Sequence, residues 1–136
     1  MKIIVCIDND GGMLFNNRRQ SRDRVLIDDV IRMTEGKRLY IDAYSELLFA
    51  DFGGRYTIDS DMLDNACEAD YCFVENKTLR EHLDRIDEIT VYRWNRLYPS
   101  DVKLDIELES NGFRACETAE FAGYSHEKIT KEIFRR

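Results

Sequence analysis

The hydrophobic period of this chain changes once, after Ile86, and that change limits the folds open to it. Before Ile86, uninterrupted apolar runs at Lys2 to Asp8 (KIIVCID), Leu39 to Ile41 and Tyr71 to Val74 alternate with stretches whose apolar residues recur every three or four positions. The runs read as strands buried on both faces, the stretches as helices with one apolar side. After Ile86 the period falls to two. Ile89 and Val91 alternate with Thr90 and Tyr92, and Val102, Leu104, Ile106 and Leu108 with Lys103, Asp105, Glu107 and Glu109, the mark of strands with one wet face. The expected fold class is therefore α/β: a mixed sheet, parallel in its N-terminal half, closed by an antiparallel C-terminal hairpin, with helices on both faces in three layers. With 136 residues, 43% of them hydrophobic, residues 1–136 have material for one domain and not two.

The helical stretches have their own punctuation. Arg22 to Glu35 sets Leu26, Ile27, Val30, Ile31 and Met33 on one arc, with Ser21 as the expected N-cap and Gly36 after its end. Ala43 to Ala50 reads as a short helix stopped by Gly53 and Gly54, Asp61 to Glu68 as another capped by Ser60, and Lys77 to Ile86 as a fourth. Near the end, Ser110, Asn111 and Gly112 supply a turn. Phe113 to Glu120 and Lys128 to Arg135 read as a strand pair bridged by Gly123 to His126.

Charge and ligand counts exclude several function classes. A net charge of −7 disfavours a nucleic-acid partner, since such affinity comes from a basic surface displacing counterions. No apolar run approaches the length of a membrane span and no signal-like leader is seen, so a cytoplasmic location is expected. Cys6, Cys67, Cys72 and Cys116 form no C-x-x-C pair and are expected to be buried, reduced thiols. A dizinc tRNA nuclease of the ribonuclease Z kind needs an H-x-H-x-D-H site. His82 and His126 are the only histidines, and no metal is expected.

The stretch from Cys6 to Asp23, CIDNDGGMLFNNRRQSRD, is dense in polar groups. Leaving an apolar strand, Asp8-x-Asp10-Gly11 fits the nucleophile loop of a magnesium-dependent haloacid dehalogenase-like phosphatase, with Asp8 as nucleophile and Asp10 as acid and base. The lysine and strand-end acidic pair of that chemistry are not evident. A polar turn with glycines at positive φ is the plainer reading. Arg18, Arg19, Arg22 and Arg24 gather at the start of the first helix, where they could grip a small anion, or lie in solvent and balance Asp23, Asp28 and Asp29. Neither Arg19 nor Arg22 is placed to be core. Tyr44, Ser45, Tyr92 and Trp94 could line a crevice at the strand ends, or pack as core.

The order of elements, with this loop at its head, resembles the dihydrofolate reductase family over nearly the whole chain. Cys6, Asp8, Asp10, Met13 and Leu14 stand in the register of A-x-D-x-N-x-x-I-G. LYIDAYSELL (Leu39 to Leu48) is similar to the strand, turn and T-Y-E-S-L helix, and DEITVYRWNRLYPSDVKLD (Asp87 to Asp105) to the approach to G-D-x-x-F-P, with Asp101 at the acidic position. Phe113 to Arg136 is similar to the closing hairpin. The resemblance implies the fold of that family. It also implies where the reductase chemistry should sit, and there the sequence departs. Leu26 stands at the pterin-binding carboxylate, and Arg19, Gln20 and Ser21 replace the leucine-proline-tryptophan of the loop. Asp42 and Ala43 replace the glycine-arginine at the cofactor phosphates, and Glu75 and Asn76 replace the paired glycines at the pyrophosphate. Carboxylates there repel phosphate, so NADPH is disfavoured and no cofactor is expected. The expectation is a protein that is not a competent dihydrofolate reductase and binds a small anionic ligand or a protein partner. An NAD(P)H-dependent reductase of another substrate is the alternative, and a homodimer is compatible with the sequence.

Overall fold

A computed structural model describes residues 1–53 and 55–136; the helix stop expected at Gly54 lies outside the described residues. The strands are β1 (Lys2–Ile7), β2 (Gly12–Phe15), β3 (Arg18–Arg19), β4 (Leu39–Ile41), β5 (Thr57–Ile58), β6 (Tyr71–Phe73), β7 (Glu88–Arg93), β8 (Val102–Lys103), β9 (Arg114–Phe121) and β10 (Ile129–Arg135). Seven of them form a mixed sheet in the order β5-β4-β6-β1-β7-β10-β9. β1 runs parallel to both β6 and β7, and β10 is antiparallel to β7 and β9. Central strands need apolar residues on both faces, which is why KIIVCI shows no alternation.

Two apolar clusters follow from the pleat of β1. Ile3, Val5 and Ile7 join Met62, Leu63, Leu79 and Ile86 on one side, while Ile4 joins Leu26, Ile27, Val30, Leu48 and Phe49 on the other. Helices α1 (Arg24–Met33) and α2 (Glu46–Phe49) therefore cover one face, and α3 (Met62–Asn65) with the 3₁₀ segment Arg80–Arg85 covers the other. No described helix is long and apolar enough to cross a membrane.

Several local expectations change. α1 begins at Arg24 rather than Arg22, and its N-cap is Asp23, whose Oδ1 accepts the Val25 N–H at 2.9 Å. Ser21 does not cap, because its hydroxyl is engaged elsewhere. The helix expected from Asp61 to Glu68 is a single turn, and Cys67 lies exposed beyond it. Cys116 is exposed too, since β9 is an edge strand open on both faces. β7 has no wet face: Ile89 and Val91 pack into one apolar cluster and Tyr92 into the other, and the strand is buried from Glu88 through Tyr92.

The clean alternation from Val102 to Leu108 is not a strand beyond Lys103. Ile106 is buried, and Leu104 and Leu108 pack on the same core from a loop. Between them Asp105 accepts the N–H groups of Leu79 (2.9 and 3.0 Å) and Arg80 (2.9 Å). A segment laid across a core alternates its side chains as a strand does, without a ladder partner.

Candidate functional site

β1 delivers Asp8 to the head of the sheet, where its carboxylate is fully buried. Asp8 accepts the N–H groups of Asp10 (2.9 Å), Gly12 (2.7 Å) and Tyr98 (3.2 Å) and the Gln20 side-chain amide (2.9 Å). Burial pushes this carboxyl up, but the hydrogen bonds from Gly12, Asp10, Tyr98 and Gln20 outweigh it and hold the group below the usual carboxylate range. A carboxylate so held organises a turn and has no approach to a phosphorus atom, so the phosphatase reading finds no support. Asp10 points away and pairs with Lys103 at 2.5 Å.

The two glycines of this loop do different jobs. Gly11 has φ +75, whereas a Cβ on Gly12 would lie 2.5 Å from Gln20 Nε2, 2.7 Å from Ser100 Cβ and 2.8 Å from Asp8 Oδ2. Gly12→Ala is expected to cost about 1–3 kcal/mol, read from the urea midpoint, by wedging the turn apart. An unchanged midpoint would show that Gln20 and Ser100 give way freely.

β2 and β3 form a hairpin whose turn is Asn16–Asn17, both residues at positive φ (51° and 60°), as a two-residue primed turn requires. The hairpin separates the arginines that the sequence groups together. Arg19 turns inward, its guanidinium donating to Glu75 (2.9 and 3.1 Å) and to the Tyr44 carbonyl (3.0 Å), 4.7 Å from the centre of the Tyr44 ring. Arg18 and Arg22 remain exposed, and neither has an ion-pair partner among the described residues. Both border an open groove of about 620 Å³ with Asn17, Arg19, Ser21 and Tyr44. Arg24 faces another groove and lies 5.3 Å from the Tyr124 ring. The acids expected to balance the cluster pair elsewhere: Asp28 with Arg32, Asp29 with Lys131, Asp23 with His126.

Behind the groove, the space bordered by Cys6, Leu26, Phe73, Glu75 and Trp94 is a cavity of about 20 Å³, room for about one water. Glu75 occupies this region, accepting from Arg19 and from Ser45 Oγ at 2.7 Å. Asp42 caps the turn at Tyr44 and pairs with Lys77 at 3.3 Å. Ser45 and Tyr92 are both fully buried rather than crevice-lining, and the Tyr92 hydroxyl donates to Asp29 at 2.6 Å. Burial, then Asp29, push that phenol well above its ordinary range. Cys6 is inert as well, its thiol raised by burial and then by Glu75.

One constellation went unread in the sequence. Ser21 Oγ lies 2.9 Å from His126 Nε2, and His126 Nδ1 lies 2.8 Å from Asp23 Oδ2. His126 stacks on Trp94 with ring centres 4.6 Å apart, and the Tyr98 hydroxyl is 3.4 Å from Nε2. Asp23 also accepts the N–H groups of Val25, Tyr124 and Ser125, each at 2.9 Å. Burial raises the Asp23 carboxyl, but the bonds from Tyr124, His126, Ser125 and Val25 prevail and hold it far below its ordinary value. The chain contains only two histidines, which was the available signal. A separation of 103 residues hid the partner.

No family model matches the chain, and no curated protein matches it. Among solved structures, dihydrofolate reductase from Enterococcus faecalis, complexed with NADP(H) and RAB-propyl, superposes with a TM-score of 0.67 over 99% of this chain and 95% of that one, at 9% sequence identity. The fold is thus dihydrofolate reductase-like in a divergent sequence, as the resemblance implied.

Proposed function

We propose that this protein uses the dihydrofolate reductase-like fold to bind a small anion between Arg18 and Arg22, and that it does not reduce dihydrofolate. The observation that carries the reading is the pair itself: two guanidinium groups without carboxylate partners among the described residues, on one open groove. Two guanidinium groups on one groove make a local positive site against the net negative charge of the protein, and each can offer charge-assisted hydrogen bonds to an anion.

The reductase chemistry has no room. Leu26, an apolar residue, borders a cavity of one-water size where a pterin would need both space and a carboxylate. The residues at the cofactor positions do not fit a dinucleotide diphosphate either, because Asp42 and Glu75 place carboxylates there, already committed to Lys77 and Arg19.

Titration with inorganic sulfate or phosphate tests the anion reading. Thermal and urea unfolding should show a gain of about 1–3 kcal/mol at saturating anion, by mass action on the folded state. The double variant Arg18→Gln/Arg22→Gln should fold normally and lose that gain; an equal response in parent and variant would refute the site. Arg19 is left out of the variant because it holds Glu75. NADPH should bind no more tightly than its phosphate content explains, followed by its fluorescence.

A further inference from the structure

We propose that Ser21, His126 and Asp23 form a nucleophilic relay that hydrolyses carboxylic esters, with a preference for esters carrying a negative charge. The three groups stand in the order the chemistry needs: hydroxyl on Nε2 at 2.9 Å, carboxylate on Nδ1 at 2.8 Å. Asp23 is ionised and fixed by three backbone N–H groups, so it holds the imidazole tautomer with Nδ1 protonated and Nε2 free to accept a proton. The Trp94 ring fixes the plane of the imidazole. Ser21 is half-buried and borders the groove of Arg18 and Arg22, while its base and carboxylate are buried.

The reaction balances with water alone. Ser21 Oγ attacks the ester carbonyl as its proton passes to His126 Nε2, and the tetrahedral oxyanion forms beside the Arg22 side of the groove. Its collapse breaks the bond to the alcohol, which leaves with the proton from His126. Water then attacks the acyl-serine, giving its proton to His126, and the acid is released as Ser21 recovers its own. The preference for an anionic ester rests on the arginine groove; the relay itself does not.

The protein should be incubated with diisopropyl fluorophosphate and its mass and modified residue determined. One phosphoryl adduct on Ser21, with loss of fluoride, is expected. Ser21→Ala should abolish labelling and lower hydrolysis of 4-nitrophenyl acetate at least 100-fold while leaving the circular dichroism spectrum and urea midpoint near those of the parent. His126→Gln should lose labelling likewise, and Arg22→Gln should raise KM for a 4-nitrophenyl succinate monoester about tenfold. No adduct, an adduct on Ser125, or undiminished turnover by Ser21→Ala would overturn the relay. Labelling by this uncharged probe is independent of the sulfate response, so the relay and the anion groove can fail separately.

Discussion

Replacing Asp23 with alanine is expected to lower the unfolding free energy by about 3–5 kcal/mol. The N-cap of α1 accounts for about 1 kcal/mol of that. The rest comes from the Tyr124 and Ser125 N–H groups and the His126 ring, which lose an ionised acceptor in a place water does not reach. Urea unfolding should show a lower midpoint with little change in slope, and Asp23→Asn, which keeps one carbonyl acceptor, should cost less. The same carboxylate sets an acid limit. Its pKa is depressed in the folded state, so its stabilisation is complete above the ordinary carboxylate pKa and is lost as pH falls toward the folded value. Asp8 shifts in the same direction. Stability of the parent should therefore decline from about pH 5 downward, and Asp23→Ala should show a shallower decline. A variant with the parent's pH slope would mean that Asp23 is not the titrating group.

Glu75→Ala is expected to cost about 2–3 kcal/mol, because it strands the Arg19 guanidinium and the Ser45 hydroxyl at once. The figure stays below that of a fully buried pair, since the Arg19 side chain keeps 21% of its exposure and water takes part of the charge. Replacing Arg19 and Glu75 together by Met and Leu should recover most of the loss. A double-mutant cycle with no coupling would show that the two side chains do not depend on each other.

The sequence was most legible where structure is local. The runs at Lys2, Leu39 and Tyr71, the arc of α1 and the final strand pair all report their own period, and each lies close to where it was expected. The reading failed where one pattern has two physical origins. Alternation from Val102 to Leu108 arises from a strand or from a loop draped over a core; Val102 and Lys103 pair with β2, and beyond them the segment is a loop on the core. Alternation from Ile89 to Tyr92 suggested a wet face because Thr90 and Tyr92 carry polar atoms, yet both are buried, with the Tyr92 hydroxyl bonded to Asp29.

By itself the sequence determined the central strands, the first helix, the closing strand pair and the mixed character of the sheet, because each is encoded in neighbouring residues. Tertiary structure alone decided which polar groups meet. Arg18 and Arg19 are adjacent, but successive side chains of a strand point to opposite faces, so Arg18 stays exposed without an ion-pair partner among the described residues while Arg19 turns in to Glu75. Ser21 and Asp23 meet His126 only because pairing of β10 with β7 and β9 returns the last connection of the chain to the start of α1. That encounter is set by the topology of the sheet, which no local period records.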